Sequence, residues 1–507
     1  MTRRPPAWLA AAAAVPVAVV ALPVLYIAVR AGQAGPAGLW GEFSRPYTRG
    51  LLANTLTLMG WVTLLATLLG TAMAWCTERC DLPGRQAWRV VASLPLAMPA
   101  FVASYAWASL GPAFQGMAGA VLVLTLSSLP LVYLPAAAAL RGMDPVLEDV
   151  ARALGDGPVR AFWRAVLPQV APALGGGALL VASHMLAEFG ALSLLRVQTL
   201  TTAIFDQYQM RFDTAAAALL SAGLMALCLP IAFAEMRVRG LRRVARVGRG
   251  ASRPPALVRL GWAMPVAVAG FVAVAALALG LPLATLGFWL LHGSSAGHGL
   301  ATVGPALLGS LSLAAPGAAL TTLLALPLVL LALRHRGRFS GFADRLPYLV
   351  HGLPGITVAL ALAFLAVRYA PFLYQTRLLV MLAYAVLFLP LAQSALRASA
   401  ELVPPELEEV ARTLGRGPLA AFATVTLPNL APGIGAALAL LLLSLMRELT
   451  ATLLLAGAGV TTLATELWSY TGETAYAAAA PFAVVLVLAS GLPVYLLTVR
   501  TLTPHRR

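Results

Sequence analysis

Residues Glu148 to Gly177 read EDVARALGDGPVRAFWRAVLPQVAPALGGG, and 260 residues later Glu408 to Ala437 read EEVARTLGRGPLAAFATVTLPNLAPGIGAA. The constant offset continues outward, placing Glu188 opposite Glu448 and Thr201-Thr202 opposite Thr461-Thr462. Upstream, Asn54-Thr-Leu-Thr-Leu resembles Ser310-Leu-Ser-Leu, and Leu140-Arg141 matches Leu396-Arg397 at an offset of 256, which puts a four-residue insertion before Glu408. The chain is therefore a tandem duplication, and a fixed period is read before anything else because it sets the architecture. Each copy has the same physical pattern. In the first, Val146, Leu147, Val150 and Leu154 fall at helical spacing, a Gly-x-Gly-Pro break follows at 155–158, and a second turn carries Val159, Phe162 and Trp163. An apolar face on a short polar-flanked helix must pack on something, either the protein's own helix ends or a groove on a partner.

Around these copies the chain is apolar: 60% of its 507 residues are hydrophobic and 11% charged, against about 45–50% and about 25% in soluble domains. A bilayer core about 30 Å thick is crossed by about 20 apolar residues. Twelve stretches of that length run approximately over 7–29, 52–76, 90–110, 116–140, 170–190 and 214–236, then 262–290, 306–333, 346–367, 378–398, 429–449 and 475–499. The expected fold is an all-α integral membrane protein of two tandem six-helix units, 1–236 and 260–507, joined by an arginine-rich segment at 237–259. Six is even, so the repeats run in the same orientation and form a parallel assembly.

Every one of the 35 basic residues is Arg; there is no Lys. A Walker A loop and a Schiff-base site both need Lys, so this polypeptide is no P-loop ATPase by itself. The first apolar stretch is about 23 residues, longer than the 7–15 of a signal peptide, and is read as a retained helix. Counting alternately from a cytoplasmic amino end, the inner segments collect Arg79, Arg85 and Arg89, then Arg141, Arg152, Arg160 and Arg164, then eight arginines from Arg237 to Arg259. The second half adds Arg334, Arg336, Arg338 and Arg345, and Arg500, Arg506 and Arg507 at the tail. This bias places both ends in the cytoplasm. The net charge of +16 then reports orientation beside anionic lipid and not a nucleic-acid groove. Cys76, Cys80 and Cys228 are too few for a disulfide framework or a four-thiolate zinc site and read as reduced packing residues.

The duplicated segments resemble the EAA loop of binding-protein-dependent ABC importer permeases, whose pattern is Glu-Ala-Ala, three residues, Gly, nine residues, Ile-x-Leu-Pro. Here it reads Asp149-Val150-Ala151, Gly155, Ala165-x-Leu167-Pro168 in the loop at 144–168, and Glu409-Val410-Ala411, Gly415, Val425-x-Leu427-Pro428 in the loop at 404–428. The first copy departs with Asp for Glu, and both have Val for the first Ala. The resemblance covers nearly the whole chain and implies a fused pair of permease units. It further implies that each loop inserts into one of two cytoplasmic ATPase subunits, which bind ATP and Mg²⁺ in trans, so this chain itself holds no cofactor. A periplasmic substrate-binding protein would deliver the solute. On this basis Gly155 and Gly415 serve the turn, Asp149 and Glu409 polar contacts at the ATPase or the helix start, and Phe162 and Phe422 either apolar knobs or packing beneath the loop.

The segment AEFGALSLLRVQTLTTAIFDQYQMRFD, 187–213, resembles fused ferric-iron permeases, so iron is the first expectation for cargo. Thiamine, sulfate, polyamine and phosphonate are the alternatives within the class, and an ion-coupled secondary transporter is the rival outside it. Carboxylate and phenol oxygens suit a hard trivalent cation. Glu188 and Glu448, with Asp206 and Glu466 read as a second equivalent pair, are the candidate pathway residues, since a charge in the membrane is by default functional. His184 lies four residues before Glu188, but its counterpart in the other copy is Ser444, so a symmetric His-Glu metal site is unsupported and it reads as a buried packing histidine. Tyr105, Tyr208 and Tyr470 read as interface anchors or oxygen ligands. Gly293-Ser-Ser-Ala-Gly297 satisfies the nucleophile-elbow pattern, yet it falls in a short outer loop without the strand-to-helix context that chemistry requires.

Overall fold

The computed structural model describes residues 5–143, 146–241, 257–292, 300–335, 337–402 and 405–502, and among these there is no strand, only one isolated bridge between Cys80 and Val258. The first half of the chain forms α1 (Ala7–Ser44), α2 (Pro46–Arg79), α3 (Arg85–Ser93), α4 (Ala100–Ala108), α5 (Gly116–Gly142), α6 (Val146–Ala153), α7 (Pro158–Ala161), α8 (Leu167–Ala187), α9 (Gly190–Leu194), α10 (Leu200–Gln209) and α11 (Thr214–Leu241). The second forms α12 (Met264–Ala275), α13 (Leu281–Leu291), α14 (Leu300–Arg334), α15 (Arg338–His351), α16 (Gly355–Tyr369), α17 (Arg377–Ala400), α18 (Pro405–Thr413), α19 (Pro418–Ala421), α20 (Leu427–Met446), α21 (Thr450–Leu455), α22 (Leu463–Gly472) and α23 (Tyr476–Leu502).

Among the described residues nine helices are long and apolar enough to cross a membrane, and eleven if each of two bent pairs is one span. The bent pairs fall on the apolar stretches expected at 90–110 and 346–367. The first turns by 86° between 85–97 and 100–108, the second by 109° between α15 and α16. Pro99 and Pro354 stand immediately before the second helix of each pair, in extended conformation. Proline there lacks the N–H that would continue the ladder and disfavours α geometry in the residue before it. The twelfth stretch corresponds to α23, apolar over Tyr476–Ala489.

The chain packs as two compact units, and each draws on both halves of the sequence. One comprises Pro46–Thr202, Pro230–Gly297 and Trp468–Arg507. Its centre is α2, α5 and α8 packed on one another, with α13 lying against α4 and α23. At one end of this trio Met73, Leu129, Tyr133, Leu140, Val166 and Phe271 close a core that gathers α2, α5, α8 and α12. The other unit comprises Met1–Arg45, Ala203–Leu229 and His298–Leu467. Its centre is α14, α17 and α20, and α1 packs on α14, α15 and α16. Sequence repeats and packed units are thus different divisions of the chain: the helices that open each half pack with the core trio of the other.

Of the arginine-rich segment expected at 237–259, the structure describes the two edges. Helix α11 runs on to Leu241. At the far edge the Val258 N–H donates to the Arg79 carbonyl at 2.7 Å, the Asp81 N–H to the Val258 carbonyl at 3.2 Å, and the Leu260 N–H to Asp81 Oδ1 at 2.9 Å. Residues 242–256 lie outside the described set, as do 293–299 with the Gly-Ser-Ser-Ala-Gly loop, and Asp144 and Pro404 at the outer limits of the two duplicated loops.

Candidate functional site

Each duplicated loop folds as helix, turn, helix. Helix α6 begins with Glu148 and Asp149 and closes with Arg152; α18 begins with Glu406 and Glu408 and closes with Arg412. Acids at the amino end and a base at the carboxyl end both oppose the helix dipole. The turn that follows has the same geometry twice. Gly155 has φ +90° and Gly415 φ +85°. The Gly155 N–H donates to the Arg152 carbonyl at 3.0 Å and the Asp156 N–H to Ala151 at 3.1 Å; the Gly415 N–H donates to Arg412 and the Arg416 N–H to Ala411, both at 3.1 Å. This pair of bonds is the Schellman helix stop, which needs a left-handed residue at the position glycine holds. After α7 and α19 the chain widens into one π-helical turn, Phe162–Val166 and Phe422–Thr426. The repeats therefore share backbone geometry even where their side chains differ.

The loops present apolar side chains outward. Leu154 and Leu414 are 81% and 77% exposed, Val150 and Val410 about half exposed, and Trp163 is also exposed. Asp149 and Glu409 are exposed beside them, whereas Ala411 is buried and Ala151 half-buried. Phe162 is half-buried and meets Trp75 of α2 edge-on at 4.9 Å, so it packs beneath the loop, and the outward aromatic is its neighbour Trp163. Phe422 is half-buried in the corresponding place.

The acidic residue that anchors each loop stands one position before those singled out from the motif. Arg79, the last residue of α2, donates to Glu148 Oε2, and Arg152 donates to Glu148 Oε1 at 2.6 Å. Arg334, the last residue of α14, donates to Glu408 Oε2 at 2.6 Å and to Thr426 Oγ1 at 3.2 Å, and the Thr426 hydroxyl donates to the same carboxylate at 3.1 Å. Nearby, Glu78 binds Arg89 at 2.7 Å and lies 3.5 Å from Arg141. In the other unit Arg397, opposite Arg141, binds Asp344 of α15. Arg79 and Arg334 share the chain spacing that relates Thr55 to Ser310, whose oxygens receive the N–H groups of Leu200 and Leu463 at 3.1 and 2.9 Å.

The pathway candidates occupy helix breaks. Glu188 follows α8, and its Oε1 accepts the Ala191 N–H at 2.9 Å, capping α9. Glu448 follows α20, and its Oε1 accepts the Ala451 N–H at 2.9 Å, capping α21. The backbone carbonyl of each accepts a threonine hydroxyl, from Thr201 at 2.8 Å and from Thr452 at 3.0 Å. His184 Nε2 lies 3.6 Å from Glu188 Oε2, and its side chain is 46% exposed, correcting the expectation of burial: Val181, Ala182, Met185 and Leu186 take the inner face of α8. Asp206 and Glu466, both half-buried, are not equivalent. The Thr199 N–H donates to Thr202 Oγ1 at 2.8 Å, and its counterpart is the Thr462 N–H donating to Thr465 Oγ1 at 2.9 Å, a register three residues longer than the offset of the loops. That register sets Asp206 against Ser469 and Glu466 against Ala203. Tyr105 is fully buried, its hydroxyl donating to the Tyr476 carbonyl at 2.6 Å, and so anchors no interface. Tyr208 packs edge-on against Phe364 and Tyr470 stacks on Phe482, both at 5.6 Å. Among the described residues no three His, Cys, Asp or Glu side chains group closely enough to hold a metal ion. Cys76, Cys80 and Cys228 are unpaired thiols, the last two buried.

Residues 66–236 and 326–500 each match the family described as "Binding-protein-dependent transport system inner membrane component". The chain is 43% identical over 500 residues, 98% of its own length and 99% of the relative's, to the Fe(3+)-transport system permease protein FbpB 2 of Haemophilus influenzae. It is 26% identical over 233 residues to the sulfate transport system permease protein CysT of Salmonella typhimurium, covering 42% of this chain and 84% of that one. It is 32% identical over 154 residues to the molybdenum transport system permease protein ModB of Escherichia coli, covering 27% and 67%. With two matches that together span most of its length, the chain belongs to the binding-protein-dependent transport system inner membrane components, as a multi-pass permease with two tandem units.

Proposed function

We propose that this protein is the permease subunit of an ATP-driven importer of ferric iron. The observation that carries the reading is the full-length likeness, at 43% identity, to a relative whose name states Fe(3+) transport. The sulfate and molybdenum permeases match over less than half of the chain. Two ATPase subunits dock in the cytoplasm, one on each duplicated loop, where Asp149, Val150, Ala151, Gly155 and Phe162, or Glu409, Val410, Ala411, Gly415 and Phe422, form or support the contact. The exposed Val150, Leu154, Val410 and Leu414 support this reading, since an apolar helix face left in water on a folded protein marks a partner surface. ATP and Mg²⁺ act at those subunits. A binding protein delivers iron to the outer face, and both chain ends lie in the cytoplasm, as the arginine bias supports. Glu188 and Glu448, fixed by their caps at the breaks after α8 and α20, are the proposed pathway carboxylates, with Asp206 and Glu466 in supporting positions.

The test is reconstitution of the permease with its ATPase in liposomes, with a binding protein outside loaded with Fe³⁺, sulfate, molybdate, thiamine, a polyamine or a phosphonate. ATP-dependent accumulation of iron above the other solutes is expected. Accumulation of another solute with no iron entry would overturn the assignment of cargo, and uptake driven by an ion gradient without ATP would overturn the class.

A further inference from the structure

In each unit the last turn of the first core helix is tied to both arms of the duplicated loop, by different chemistry. In one, Arg79 grips Glu148 of α6 while its guanidinium lies 5.5 Å from the ring centroid of Trp75, and Trp75 in turn meets Phe162 of the π-helical turn. In the other, Arg334 grips Glu408 of α18 and Thr426 of the π-helical turn directly. Val166, buried, stands in the first loop where Thr426 stands in the second, so the hydroxyl link has no counterpart there, and the aromatic pair spans the same two elements instead. The two joints also differ in burial. The Arg79 and Glu148 side chains are 1% and 7% exposed, those of Arg334 and Glu408 28% and 20%. A charge pair buried at a helix end is held by its geometry, because removing one partner strands the other in a medium that does not solvate it.

We propose that Arg79–Glu148 and Arg334–Glu408 are the joints that carry movement of each ATPase-facing loop into α2 and α14, with Trp75 and Thr426 fixing the second arm. These are positioning residues: they touch neither nucleotide nor cargo. The inference rests on the loops being the ATPase docking sites. It also assigns the joints unequal stiffness, so the more exposed second joint transmits less.

Hydrogen exchange of the full chain assembled with its ATPase in nanodiscs, with and without vanadate-trapped nucleotide, reads the transmission directly. In the native protein, trapping is expected to change exchange both in the loops and in the last turns of α2 and α14. In Glu148→Gln the response of α6 persists while that of residues 73–79 falls by about tenfold, the scale of coupling between linked sites; Glu408→Gln gives a smaller loss at residues 328–334. The exchanged pair Arg334→Glu with Glu408→Arg restores the second response. Undiminished responses of α2 and α14 in both single variants would overturn the proposal. Should Glu148→Gln fail to assemble, Glu408→Gln and Thr426→Val carry the test in the other unit. The readout involves no cargo, so an absence of iron transport alongside a normal exchange pattern would refute only the iron assignment.

Discussion

Gly155 and Gly415 are the positions where one side chain decides a loop. A Cβ added at either would meet nothing within 4 Å, so only the backbone resists substitution, through φ values of +90° and +85°. A β-branched residue in the left-handed region costs about 1–2 kcal/mol and withdraws the two stop bonds, whereas Asn visits that region readily. The double replacement by Val is therefore expected to lower solute moved per ATP hydrolysed by about fivefold or more, with membrane insertion intact, and replacement by Asn to leave it near native. Flux and ATP hydrolysis measured together check this, and equal coupling in the Val and Asn proteins would remove the turn from the mechanism. These glycines were legible in the sequence because the Gly-x-Gly-Pro break recurs. Arg79 and Glu148 were not, being 69 residues apart and brought together as an ion pair only by the tertiary fold. The signal available was an acid heading each duplicated segment and an arginine ending the apolar stretch before it. His184 misled for a related reason: one residue's exposure depends on the rotation of its helix, which composition does not report.

At the scale of elements, length and hydropathy located the spans but could not show direction. Pro99 and Pro354 sit inside stretches that look continuous by composition, and the chain turns sharply at both. The breaks after α8 and α20 are similarly silent in hydropathy, yet Glu188 and Glu448 each close one by capping the helix that follows. This allows charge and cap to be separated. Gln retains an acceptor oxygen, so Glu188→Gln with Glu448→Gln is expected to keep the melting temperature near native while lowering uptake more than either single change. Ala removes the acceptor at a cost of about 1 kcal/mol per cap and lowers the melting temperature as well. Unchanged uptake in the double Gln protein would make both residues helix caps without a part in the pathway.

For the whole molecule, the duplication was legible at once, but not which helices pack together. The repeat predicts two self-contained halves. Instead α1 packs on α14, α15 and α16, while Trp468–Arg507 belongs to the unit built on α2, α5 and α8. Residues 1–245 or 246–507 expressed alone should then leave large apolar faces unmatched and be degraded, while co-expression of the two pieces should restore full-length levels of uptake. Stable accumulation of either piece alone, measured in membrane fractions, would contradict the exchange of helices. The same exchange bears on biogenesis. Roughly 250 residues separate Arg45 from His298, where the segment that carries α14, α15 and α16 begins. At about 5–20 residues per second of synthesis, α1 waits about 10–50 s in the bilayer before the helices it packs against emerge, and the other unit is complete only when the last span leaves the ribosome. Ribosome stalling between residues 298 and 467 would leave both units open to membrane proteolysis, where a chain of independent halves would lose only one.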